Sequence, residues 1–173
     1  MLVIHQFDSG LTHKYREIES VLYDILGDDV TISHVGSSAL GISGKNIIDV
    51  LIGVPRESDL RIAADRLVKA GYFEGKETGE DRIFLASRPS ETRAGDVHLH
   101  ICVEDSLTYE NFLILRDYLL AYPDELVKYE NQKRECAMLA NGDRQEYRRL
   151  KSLYLTQAIN RARISIASDV LDY

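Results

Sequence analysis

No apolar run in these 173 residues approaches the roughly 20 needed to cross a bilayer, so no membrane-spanning helix is expected. The opening MLVIHQFDSG has neither a basic leader nor a long apolar core, and no secretory signal is expected. Cysteine is scarce. Cys102 and Cys136 lie far apart and match no metal or redox spacing, which points to reduced thiols and a cytoplasmic setting. Domain-scale repeats and low-complexity tracts are missing too. Positive charge is in deficit, with a formal net charge of -7, and this argues against bulk nucleic-acid binding.

What positive charge there is has been gathered in one place. Residues 128–163 hold nine Lys or Arg against four acids, so the rest of the chain is strongly acidic. An acidic body with a basic helical end suits a small anionic ligand better than a long polyanion. With 45% hydrophobic residues the chain is long enough to bury a core as one globular domain.

Periodicity orders the elements. Tyr15, Ile18, Leu22, Ile25 and Leu26 fall at helical spacing within 12–26, and VTISH follows as a short strand. GSSALGISGK reads as a turn containing one helical turn, IIDVLIGV as a strand, and 57–70 as an amphipathic helix closed by Gly71. RIFLASR and VHLHICVE are two further strands, separated by a Pro/Gly loop over 89–95. Helices follow over 109–121, 124–139 and 143–166, broken at Pro123 and at Asn141-Gly142. The order predicts an α+β fold, not a doubly wound sheet. A core over 1–105 should carry a C-terminal helical lobe over 106–173 packed on it as one structural unit.

Four groups of residues can carry chemistry. Gly36, Ser37 and Ser38 follow a strand, where exposed N–H groups and small side chains suit a phosphate, and Lys45 lies close behind. The same pieces also make an ordinary tight turn. Asp49 stands inside an apolar strand, and a buried carboxylate needs a cation, a donor set or solvent. It can equally sit at the wet end of the sheet or pair with Lys45. His98 and His100, two apart on a strand, share a face and can both ligate one metal or both donate to one phosphate. Tyr129 with Lys133, and Tyr147 with Lys151, repeat Tyr-x-x-x-Lys on successive helices and present two phenols and two ammonium groups on helix faces. Their stems can equally cover apolar surface on a solvated face.

In combination these motifs resemble the GrpB family of the nucleotidyltransferase superfamily. The resemblance begins at ISHVGSSALGISGKNIIDVLIGV, continues through HLHICVE and FLILRDYLLAYPDELVKYENQKRE, and ends with Tyr147 and Lys151. It spans about residues 32–166 and implies a nucleotidyltransferase-like mixed β-sheet with flanking helices and the helical lobe. It also implies that Gly36, Ser37 and Ser38 hold phosphates, with Lys45, Lys133 and Lys151 neutralising charge and Arg82 and Arg116 as further candidates. Asp49 would be the catalytic carboxylate and metal ligand.

Superfamily members use an Asp-x-[Asp/Glu] pair and a third carboxylate to hold two magnesium ions. Here Leu51 stands in the second place, and His98 or His100 in the third, with Glu104 as a substitute farther along. One carboxylate and two imidazoles suit a single Mn²⁺ or Zn²⁺ better than paired Mg²⁺, or serve as phosphate donors without metal. The expectation is therefore a nucleotidyltransferase-like enzyme acting on a small nucleotide or phosphorylated substrate. Its rivals are a nucleotide- or coenzyme-binding module with a degenerate site and a purely structural interaction domain.

Overall fold

Asp49 interrupts an otherwise apolar strand, and the register of its neighbours decides what it meets. The structure, a computed structural model, describes residues 4–76, 81–88 and 96–171. Helix α1 (Gly10–Leu26) leads into β1 (Thr31–Val35), the one-turn α2 (Gly36–Ala39) and β2 (Ile48–Val54). Then come α3 (Glu57–Lys69), β3 (Phe73–Glu74), β4 (Arg82–Ala86) and β5 (Val97–Val103). Three helices finish the chain: α4 (Leu107–Ala121), α5 (Pro123–Leu139) and α6 (Arg144–Leu171).

The five strands form one mixed sheet in the order β1-β2-β5-β4-β3. Its central pair, β2 and β5, is parallel, and the outer pairs are antiparallel. Parallel pairing aligns Asp49 with His98 and Leu51 with His100. Antiparallel pairing sets Val35 beside Asp49 on the other flank.

Alternation gives the sheet two different faces. Ile48, Val50, Ile52, Leu99 and Ile101 turn one way and pack with Leu22 and Leu26 of α1 and Leu60 and Leu67 of α3. Each fully buried Leu or Ile contributes about 1.5–3 kcal/mol, so this face easily offsets one awkward carboxylate on the other. The opposite face carries Val35, Leu51 and Cys102 against Tyr109, Phe112 and Leu113 of α4. That face also presents Asp49, His98 and His100.

The helices start where local chemistry favours it. The Ser106 hydroxyl accepts from the Tyr109 N–H at the head of α4, and Pro123 occupies the first turn of α5, where its missing N–H costs nothing. Acids Glu57 and Asp59 open α3 while Arg66 and Lys69 close it, matching the helix dipole.

The α+β class is the one the sequence implies: a mixed sheet, flanking helices and a run of three C-terminal helices. Element ends differ by a few residues; α1 begins at Gly10 and α6 reaches Leu171. The short β3, two exposed residues paired with Ala86 and Leu85, has no periodic signature to announce it. The loop expected over 89–95 lies outside the described residues. Glu104 lies just beyond β5, where its side chain would meet a Cβ added at Gly53. Gly53 is four residues from Asp49, about 13 Å along the strand, so Glu104 cannot share a ligand with it. Among the described residues no helix is long and apolar enough to cross a membrane.

Candidate functional site

The site grows from the turn between β1 and β2. Gly36 takes φ +74°, and a Cβ built there would lie 2.4 Å from Asp49 Oδ2. Only glycine lets the turn lie against that carboxylate. The bend then brings two serines onto two bases. Ser37 Oγ accepts from Lys133 Nζ at 2.5 Å, and Ser38 Oγ lies 2.9 Å from His34 Nε2. Behind Ser37 the chain returns so tightly that a Cβ at Gly44 would sit 3.0 Å from the Ser37 Cβ.

Helix α5 fixes the returning segment. Glu130 takes both the N–H and the hydroxyl of Ser43, and Arg134 donates to the Ser43 hydroxyl at 2.7 Å. Lys133, one turn along, donates to the Ser43 carbonyl at 2.6 Å. Leu40 and Ile42 from the same segment pack against Leu119 of α4 and Tyr129 of α5. The turn is thus held by the helical lobe as firmly as by the sheet.

Asp49 faces the imidazoles its register aligns. Its Oδ1 lies 3.4 Å from His100 Nε2 and 3.6 Å from His98 Nδ1. Burial alone would raise its pKa, but the two imidazole N–H groups prevail and hold the carboxyl well below the usual carboxylate range. Burial pushes His100 down, so it meets Asp49 as a neutral donor. The Asp49 side chain keeps 27% exposure, and the carboxylate therefore opens to solvent on its free side.

Behind the histidines lies an acid the sequence reading did not single out. Asp96 is 0% exposed; it accepts from the Ser87 hydroxyl at 2.5 Å and the Val97 N–H at 2.8 Å. Its Oδ2 is 3.4 Å from His98 Nε2, too poorly aligned for a hydrogen bond, and both atoms lack one among the described residues. Its position immediately before a strand was the available signal, but burial cannot be read from one residue.

Opposite Asp49 stand the lysines. Lys133 is only 3% exposed and its pKa is pushed to about 7, first by burial and then by Lys151. Lys45 is pushed to about 8 by the same two causes in the same order. Asp49 raises both, and Lys45 further lowers Lys133, so the four charges lie within electrostatic reach. Lys45 Nζ rests 4.6 Å from the centre of the Tyr147 ring, and Lys133 Nζ 5.7 Å from that of Tyr129. Tyr129, Lys133 and Tyr147 are buried, and so the Tyr-x-x-x-Lys faces turn inward to the site, not to solvent.

The remaining candidates sit at the margin. Arg116 donates to the His34 carbonyl at 3.3 Å and to Asp117 Oδ1 at 2.7 Å, bracing β1. Arg82 pairs in register with Cys102 and acts on His100 through its charge. His34, stacked at 4.1 Å on Tyr15, is pushed by burial to about 4 and is neutral near pH 7.

The donor set around Asp49 is poor in carboxylates. Leu51 is 0% exposed and packs with Val35 and Cys102, so no second carboxylate stands beside Asp49 and a two-ion clamp does not fit. Among the described residues no group of three or more His, Cys, Asp or Glu is arranged to hold an ion by itself. Asp49 alone does suit Mg²⁺, which commonly takes one protein carboxylate with water and ligand phosphates.

The family profile described as GrpB protein matches residues 1–161. The Glutamate-rich protein GrpB of Alkalihalophilus pseudofirmus is 30% identical over 152 residues, which cover 82% of this chain and 84% of that protein. The crystal structure of conserved protein GrpB from Enterococcus faecalis has a TM-score of 0.78 at 21% identity, covering 92% of this chain and 96% of that one. Cid1, an RNA terminal uridylyl transferase, overlaps at a TM-score of 0.48 and 17% identity, over 76% of this chain and 42% of that chain.

Proposed function

The chain belongs to the GrpB family, and from that premise we propose that it binds a nucleotide or another phosphorylated small molecule beside Asp49. The observation that carries the reading is the lysine cluster. Lys45 and Lys133 have lowered pKa values because burial and Lys151 disfavour their charge. An anion placed beside Lys45 and Lys151 relieves the burial and like-charge penalties on Lys45 at once, which a neutral ligand cannot do.

In this reading Lys45 and Lys151 take the phosphate oxygens, and Gly36, Ser37 and Ser38 form the wall against which the phosphates lie. Tyr129 and Tyr147 steer the ammonium groups by their ring faces. His98 and His100 orient Asp49 instead of ligating an ion themselves. A divalent cation arriving with the phosphates would be held by Asp49 and would supply charge neutralisation. Arg82 and Arg116 act one step away, on His100 and on the β1 backbone.

Leu51 favours a second reading, binding without group transfer, because superfamily chemistry that needs two ions has no second carboxylate here. One experiment addresses both. A thermal-shift screen of nucleotides and coenzyme A precursors, with and without Mg²⁺ or Mn²⁺, should show a rise in Tm for phosphorylated compounds. Mg²⁺ should enlarge it for the native chain but not for Asp49→Ala. Pyrophosphate release from bound nucleoside triphosphates separates transfer from binding. No shift with any phosphorylated compound would refute the proposal.

A further inference from the structure

The Lys133–Ser37 contact is built differently from an anion clamp. A lysine 3% exposed has, among the described residues, two neutral oxygens as its hydrogen-bond partners: Ser37 Oγ at 2.5 Å and the Ser43 carbonyl at 2.6 Å. A buried ammonium without a bonded carboxylate is costly, and the neutral amine removes that cost. The neutral amine has one lone pair. With one proton donated to the Ser43 carbonyl, rotation about the Cε–Nζ bond can turn that lone pair to Ser37 Oγ, 2.5 Å away, to accept the hydroxyl proton. A serine oxygen within reach of a buried amine base is the arrangement of an activated nucleophile. Ser37 is only half-buried, and the charges of Lys45, Lys151 and Asp49 all reach the lysine it contacts.

We propose that Ser37 is a nucleophile, with Lys133 as its general base, attacking the α-phosphorus of a nucleoside triphosphate. The inference rests on the phosphate-binding reading above. The Ser37 Oγ–phosphorus bond forms as the bond to pyrophosphate breaks. Pyrophosphate leaves with the electron pair, the hydroxyl proton moves to Lys133 Nζ, and a nucleoside monophosphate stays on Ser37. Lys45 and Lys151 face the charge that grows on the phosphate oxygens. No second carboxylate is needed, because an amine, not a metal, prepares the oxygen. The groups whose charges bear on Lys133 are Lys45, Asp49, Glu130 and Lys151, and its pKa of about 7 allows the base form near neutrality.

The test is intact-protein mass spectrometry with peptide mapping. The full chain is incubated with each of four nucleoside triphosphates and Mg²⁺, and separately with an alkyl fluorophosphonate, a serine-directed electrophile. The proposal expects a gain of one nucleoside monophosphate at Ser37, absent in Ser37→Ala. Labelling by both reagents should slow about 100-fold or more in Lys133→Met, the usual worth of a general base. Lys133→Arg keeps a charged donor that never becomes a base, and it should be equally slow; thermal unfolding checks that each variant folds. Nucleotides that raise Tm but leave Ser37 unmodified overturn the proposal while the binding reading stands. If nucleotides do not bind, Lys133-dependent fluorophosphonate labelling of Ser37 supports the dyad and places the fault in the ligand reading. No such labelling, or labelling unchanged by Lys133→Met, overturns the dyad itself.

Discussion

Gly36→Ala tests the close approach on which the site depends. Two costs add. The backbone stands at φ +74°, where an L side chain costs about 1–2 kcal/mol. The new Cβ would also lie 2.4 Å from Asp49 Oδ2 and 2.9 Å from its Cβ, so the turn or the carboxylate must move. Moving Asp49 weakens its contacts with His98 and His100, and a hydrogen bond to a charged group is worth about 1.5–3 kcal/mol. The total is about 2.5–5 kcal/mol. Gly71 supplies the control, because its φ is +100° and a Cβ there meets nothing within 4 Å. Gly71→Ala should cost about 1–2 kcal/mol, the conformational part alone. Urea unfolding of both variants reads the difference, predicted at about 2 kcal/mol. In an Asp49→Gly background the cost of Gly36→Ala should fall to about that of Gly71→Ala, since the obstructing atoms are gone. Equal losses in Gly36→Ala and Gly71→Ala would show that the turn does not press on Asp49.

Leu51→Asp places a second carboxylate two residues beyond Asp49, but in a pocket of Val35 and Cys102 with no exposure; chemical denaturation should show a loss above about 3 kcal/mol, and calorimetry no Mg²⁺ binding without nucleotide. Lys133 titrates at about 7 folded against 10.5 unfolded, so the unfolded chain holds the extra proton between those values and stability gains from rising pH there. Lys133→Met should flatten that part of a stability–pH profile, and an unchanged slope would contradict the burial argument. His34 behaves likewise between about 4 and 6.5: stability should fall as pH drops through that window, and less steeply in His34→Gln, which cannot take up the proton. Ser43→Ala removes the anchor shared by Glu130 and Arg134, leaving Glu130 without the serine hydroxyl, and should cost about 1–2 kcal/mol in the same assay.

Local chemistry announced most of the fold and part of the site. Period-2 alternation in NIIDVLIGV and DVHLHICVE put Asp49 on one face and both histidines on one face before any register was known. What alternation could not supply was the parallel pairing that sets Asp49 against His98, because register is a long-range property. The Tyr-x-x-x-Lys repeat announced two helix faces but not their burial; that comes from Leu40 and Ile42 packing on Tyr129 and from Cys136 and Ala140 packing on Tyr147. Ser43, Glu130 and Arg134 carried no signal in the chain, since their pairing closes 87 residues or more of sequence. Asp96 was passed over for the opposite reason: an acid at a strand's start is ordinarily solvated, and only the packing around Ser87 buries it. Leu51 was readable both ways, and its full burial against α4 explains its chemistry as packing.

The central claim is that a phosphorylated ligand is held by the half-buried Lys45 and Lys151 beside Asp49. Isothermal titration with ATP and Mg²⁺, comparing the native chain with Lys45→Met and Lys151→Met at two salt concentrations, tests it most directly. Each substitution should weaken binding about 10–100-fold, the value of one charge-assisted hydrogen bond, and added salt should weaken the native chain more than either variant. Binding that is equally tight in all three proteins and indifferent to salt would contradict the account.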